Sequence, residues 1–216
     1  MIFIFQPLLE VFFPSILTIL AGFILDFTLC QKTLKYYFKE YPDLYIEGVQ
    51  TLLINLLVIS PLNYILAYNF IFSSNMFTKG LHLLKLIMML LIHNILYYFF
   101  HMSVHKIKCL KFIHNFHHKF KINLPSIGNS VSIYEFQFMY VIPFLIGLFF
   151  VKPNIITFNA SIYIISFLNL LIHCNELKEL KWISFFVSPN QHCKHHSNYF
   201  GNYSAPLINF DILTKK

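Results

Sequence analysis

An all-α integral membrane bundle, with about four to five membrane helices and a histidine-rich cap, is the fold class this sequence predicts. Three observations predict it. Of the 216 residues, 57% are hydrophobic and only 12% charged, against about a quarter charged in an ordinary soluble domain. Apolar runs recur near the length of about 20 residues that crosses a bilayer. Nine of the eleven histidines gather where those runs end.

The first run, Leu8 to Leu29, carries Glu10 and Asp26 and lacks a basic leader and a small-residue cleavage site, so it is expected to stay as an anchor. The second and third runs are Val49 to Phe72 and Leu81 to His101. Phe136 to Val151 and Ile155 to His173 form a hairpin turning at Lys152-Pro153-Asn154. Its first arm is short, so the hairpin either crosses or is re-entrant. Both ends lie on one side in either case.

If all five runs cross, every lysine except Lys79, Lys85 and Lys152 shares a side, 16 − 3 = 13 of them. The positive-inside rule makes that side cytosolic. Topology therefore accounts for the formal charge of +7. A chain with no arginine also lacks the usual bidentate reader of nucleic acid. Without internal repeats or flexible linkers, residues 1–216 read as a single membrane domain, its histidine-bearing core spanning about 81–214. Cys30, Cys109, Cys174 and Cys193 show no paired spacing and read as reduced thiols; Cys193 lies among histidines, where an incidental thiol is the simpler reading than a ligand.

The nine clustered histidines follow the order HxxxH (His101, His105), HxxHH (His114, His117, His118), a lone His173, and HxxHH (His192, His195, His196). On a helix, positions i, i+3 and i+4 share a face, so each cluster can aim several imidazoles at one point on the cytosolic side. Nine exceed the three or four ligands of one zinc ion and suit two metal ions. Neutral nitrogen donors with open positions suit iron that binds O2. His82 and His93 stand apart and read as interfacial or packing residues.

At these residues the chain resembles the fatty acid hydroxylase and sterol desaturase superfamily, which carries HxxxH, HxxHH and HxxHH at the ends of membrane helices. It is most similar to the C-4 methylsterol oxidases. His114-Asn-Phe-His-His is followed by Glu135, and His195-His-Ser-Asn-Tyr-Phe-Gly-Asn-Tyr203 looks like an HHxNFxGNY tail. Asp211 falls at the aspartate of a terminal WDRxFGT motif, which here reads Asn209-Phe-Asp-Ile-Leu-Thr214. Met102 and Ser132 stand where that family usually has arginine and often has histidine.

The resemblance implies a cytosolic metal-binding cap with two iron ions held by the nine histidines. It implies O2 as oxidant and electrons from NAD(P)H through a separate cytochrome b5 or reductase. It also implies a membrane lipid substrate and residence in the endoplasmic reticulum. A sterol C-4 methyl is the expected target, with a fatty acyl or sphingolipid chain as the alternative. A non-catalytic zinc site is a different class, and a histidine-lined transporter a third. Asn94, Tyr98, Glu135 and Asp211 are the candidate supporting residues. Asn94 and Tyr98 precede His101 by seven and three positions on one helix face, where they either bond the ligands or pack on a neighbour. Glu135 either orients an imidazole or is a solvated helix start.

Overall fold

The computed structural model describes residues 2–70 and 80–213, with side chains for 12–67 and 80–213. The last two residues of the second expected run, Lys79 and Thr214 fall outside the described residues. The principal helices are α1 (Ile2–Thr28), α2 (Gln31–Glu40), α3 (Pro42–Ala67), α4 (Leu83–Lys106), α5 (Ile133–Val151), α6 (Ile155–Ile172) and α7 (Pro189–Asn198). No strand occurs among the described residues; Phe186 and Ile208 make an isolated bridge. α3 to α6 are each long and apolar enough to cross a membrane. α1 and α2 are a fifth candidate, a pair bent by 92°.

Three boundaries differ from the sequence reading. α3 begins at Pro42, well before Val49, because proline suits the first helical position and Asp43 favours the positive N-terminal end. α5 begins at Ile133 rather than Phe136, capped by Ser132 Oγ, which accepts from Glu135 N–H at 3.1 Å. Its 19 residues span about 28 Å at 1.5 Å per residue, close to the bilayer core of about 30 Å, so the arm is not short. α2 was not expected, since its lysines interrupt the apolar run. It is amphipathic: Thr33, Leu34 and Tyr37 are buried, while Lys32, Lys35 and Lys39 are exposed.

Burial is inverted relative to a water-soluble bundle. Phe13, Ile16, Leu20, Ile24 and Phe27 form an exposed stripe along α1 at helical spacing, whereas Asp26, Asn55, Asn94, Thr157, Ser161 and Asn169 are buried. In hydrocarbon, polar groups must find partners inside the protein. Asn55 Nδ2 accordingly donates to Val131 O at 2.8 Å, and Asp26 Oδ1 accepts from Ser126 N–H at 3.0 Å.

The hairpin turn places Lys152 in the left-handed region (φ 47°), and Asn154 Oδ1 caps α6 by accepting from Thr157 N–H. His82 flanks the start of α4 at this end, its N–H donating to Thr157 Oγ1 at 3.0 Å. His93 is fully buried with its ring 4.3 Å from that of Phe144, and neither ring nitrogen has a partner. It belongs to the packing of the bundle. The apolar core at this level joins Met89, Leu148, Phe158 and Ile165.

Leu148 is fully buried in this core. Leu148→Ala is expected to cost about 2–5 kcal/mol, seen as a lower melting temperature in detergent, with metal content at the opposite end unchanged.

Candidate metal centre

Five elements converge at the lysine-rich end. The last turns of α4 supply His101 and His105. Short helical turns at Lys111–His114 and His117–Lys119 supply three more, His173 caps the C-terminus of α6, and α7 supplies His192, His195 and His196. α7 starts with Pro189 and a capping box in which Ser188 and Gln191 satisfy each other's backbone N–H groups. Its ligand-bearing turn is therefore fixed at its entry.

The nine imidazoles separate into two groups, His101, His105, His114, His118 and His195, and His117, His173, His192 and His196. Within each group one ligand atom per residue lies within 4.8 Å of all the others. The HxxHH clusters are split between the groups, which corrects the expectation that each converges on one point. The i and i+4 histidines stay together (114 with 118, 192 with 196), while 117 and 195 cross over. Successive residues of a helix diverge by about 100°, so each adjacent His-His pair faces both ways. The groups abut, with ring centroids of His118 and His196 5.1 Å apart and those of His114 and His117 5.2 Å apart.

Most of the rings are held from behind. Nδ1 of His101 donates to Tyr203 O (2.7 Å), of His173 to Asn169 O (2.6 Å), of His195 to Gly201 O (2.9 Å), of His196 to Phe120 O (3.0 Å) and of His117 to Ser130 O (3.4 Å). Nδ1 of His114 donates to the Glu135 carboxylate at 2.6 Å. A carbonyl oxygen only accepts, so these contacts put the proton on Nδ1 and leave Nε2 as a lone pair facing inward. Nε2 of His101 lies 2.9 Å from Nε2 of His114, and Nε2 of His173 lies 2.9 Å from Nε2 of His192.

With both backs fixed, His101 and His114 present two lone pairs to each other and have no proton to share. A cation between them relieves this. Imidazole ligands at about 2.1 Å from one metal ion stand roughly 3.0–3.4 Å apart, the spacing found here. His195 Nε2, buried and without a partner among the described residues, completes the first group. Burial also keeps the rings neutral. It pushes His118 down to about 2 and His173 and His195 to about 4, while His114, His117, His192 and His196 fall well below the usual value, lowered further by one another. The donor set fits two adjacent nitrogen-rich metal sites.

The four candidate supporting residues divide. Glu135 is fully buried against His114 and is not a solvated helix start. Asp211 acts at one remove. Its carboxylate accepts from Tyr203 N–H (3.0 Å) and Ser204 N–H (2.8 Å), and so places the Tyr203 carbonyl that holds His101. Asn94 bonds no imidazole; Oδ1 accepts from Leu207 and Ile208 N–H and ties the C-terminal segment to α4. Tyr98 packs its ring on Phe210. Cys193 belongs to neither group.

Ser132, at the family's frequent histidine position, caps α5 and donates to Ile113 O at 2.7 Å. The sequence reading missed Ser130, Phe120 and Asn169, which act through backbone carbonyls and so carry no side-chain signature. Gly201 and Tyr199 lie within the quoted tail but had no role assigned: the Gly201 carbonyl accepts from His195, and Tyr199 has its ring 4.5 Å from that of His118 and donates from its hydroxyl to His118 O. Gly128 was missed too. A Cβ there would lie 2.7 Å from the His173 ring.

Gly128→Ala is therefore expected to displace His173 and weaken metal binding at the second group about 10–100-fold, lowering metal per chain in elemental analysis. Glu135→Gln should do the same at the first group alone. If both variants lose all metal together, the two groups do not bind separately.

A family model described as fatty acid hydroxylase matches residues 86–215, which is 130 of the 216 residues. Searches of curated proteins and of solved structures gave no significant match. The match covers all nine clustered histidines and more than half of the chain, and the chain belongs to the fatty acid hydroxylase family, membrane oxidoreductases that act on lipids.

Proposed function

We propose that the two histidine groups hold two iron ions and that the protein uses O2 to oxidise a C–H bond of a membrane lipid. The partition of nine inward-facing imidazoles into two abutting groups is the observation that carries this reading. Iron, when bound there, supplies the reduction of O2 and the oxidation of the lipid. In the balanced reaction a C–H bond, O2, two electrons and two protons give a hydroxyl group and water. NAD(P)H, through a separate cytochrome b5 or reductase, is the electron source that the family resemblance implies.

The chain's own residues position and shield the site. The backbone carbonyls of Tyr203, Gly201, Asn169 and Phe120 and the Glu135 carboxylate fix ring orientation before any metal arrives. A pocket of about 370 Å³ opens onto the first group between His105, His118, Lys111 and Phe200. The exposed lysines around it suit an acidic electron-transfer partner, and the same lysine-rich face supports a cytosolic orientation in the endoplasmic reticulum membrane.

Within the lipid class, the tail from His195 to Tyr203 favours a sterol C-4 methyl oxidase-like substrate. In the structure this tail serves the ligands themselves. Tyr199, Gly201 and Asn202 adopt positive φ, and the resulting turn delivers the Gly201 and Tyr203 carbonyls to His195 and His101. Hydroxylation or desaturation of an acyl or sphingolipid chain is the second reading, favoured by the description of the matching family.

Purified protein should carry about two irons per chain and consume O2 with a 4-methylsterol, and His117→Ala should abolish turnover. Two irons with turnover only of acyl lipids would select the second reading. Tight zinc without O2 consumption would overturn the oxidase.

A further inference from the structure

A second cleft lies inside the bundle, between α1, α3, α5 and α6. Its walls are largely apolar, and Phe144 of α5 and Phe158 of α6 line it in edge-to-face contact with each other. Ser15, Ser60 and Ser166 add neutral polar groups, and no charged residue lines it among the described residues.

Asn129 is among the residues that line the cleft. This side chain is only 7% exposed, and its Nδ2 has no partner among the described residues. The rotation of the amide is fixed by its neighbour. Asn169 Nδ2 donates both to Gly128 O (3.4 Å) and to Asn129 Oδ1 (2.5 Å), so the unpartnered position on Asn129 is a donor. A buried amide donor without an acceptor is unfavourable, and the cleft is where an acceptor can arrive.

The same residue sits behind the second histidine group. The adjacent Ser130 carbonyl accepts from His117, and the backbone carbonyl of Asn169 accepts from His173.

We infer that this cleft binds a neutral, oxygen-bearing lipid, its hydroxyl or carbonyl oxygen accepting from Asn129 Nδ2 and its apolar body lying between α5 and α6. An ionised carboxylate or phosphate is disfavoured, because nothing in the lining offers it a counter-charge in a low-dielectric setting. The inference deepens the proposed function and rests on it for taking this lipid as the substrate.

The test uses the full chain in nanodiscs and a diazirine-bearing hexadecanol, with cross-linked residues mapped by mass spectrometry. Labelling is expected on α5 and α6 at the cleft. Unlabelled hexadecanol should compete at about tenfold lower concentration than palmitate at alkaline pH, a difference of about one decade in affinity. Asn129→Leu should weaken labelling about tenfold, and Ser166→Phe, which fills the cleft, should abolish it with metal content unchanged. Equal competition by acid and alcohol, or wild-type labelling in both variants, overturns the inference. Labelling as expected in a protein that oxidises no lipid would remove the catalytic reading alone. Lipid oxidation undiminished in both variants would remove the cleft's role alone.

Discussion

The structure depends on one constraint: imidazole lone pairs are forced to face one another in a buried space. His101 and His114 cannot turn away, because their Nδ1–H groups are committed to the Tyr203 carbonyl and the Glu135 carboxylate. Nor can they hydrogen-bond across 2.9 Å without a proton on either Nε2. Leaving buried polar atoms unsatisfied is costly, and protonation is opposed by burial and by the neighbouring rings. A metal ion satisfies all the lone pairs at once, so ligand geometry and fold stability are aspects of the same arrangement.

The bundle supplies the rigidity that this arrangement requires. α4 and α6 end inside the cap, so their last residues, His101, His105 and His173, are placed by helices packed along much of their length. The loops between them are not free-running. The Pro125–Gly128 turn is held to α1 by Asp26, with Gly22 letting α1 approach closely; a Cβ there would be 3.2 Å from Ser126 Cα. α2 then clamps the cap from outside, Tyr37 Oη donating to Ile122 O at 2.6 Å and Thr33 N–H to Glu176 at 3.0 Å. The lipid-facing exterior is correspondingly apolar, and polar bonding is concentrated where the helices meet the cap.

The C-terminal segment shows how an altered motif keeps its task. Only the aspartate of the resembled terminal motif is retained as Asp211, and it holds Tyr203 and Ser204 by their backbone N–H groups. Asn94 holds Leu207 and Ile208 in the same manner. Both residues tie down the tail beside the first histidine group. They support the site by fixing backbone carbonyls.

The sequence by itself determined what depends on local pattern. Apolar run lengths marked the membrane helices, and histidine spacing marked the residues that the fold gathers into two groups. Helix boundaries such as Pro42 and Ile133 were less legible, because capping and tertiary burial extend a helix beyond its apolar run. Only the tertiary structure decided how the nine histidines divide, because adjacent residues point about 100° apart and their destinations depend on which segments cross beside them. It also decided that Asn94 holds the tail, that Tyr98 packs its ring on Phe210, and that backbone carbonyls orient the histidine rings. A carbonyl is the same at every residue, so no sequence pattern can announce which ones a fold will use.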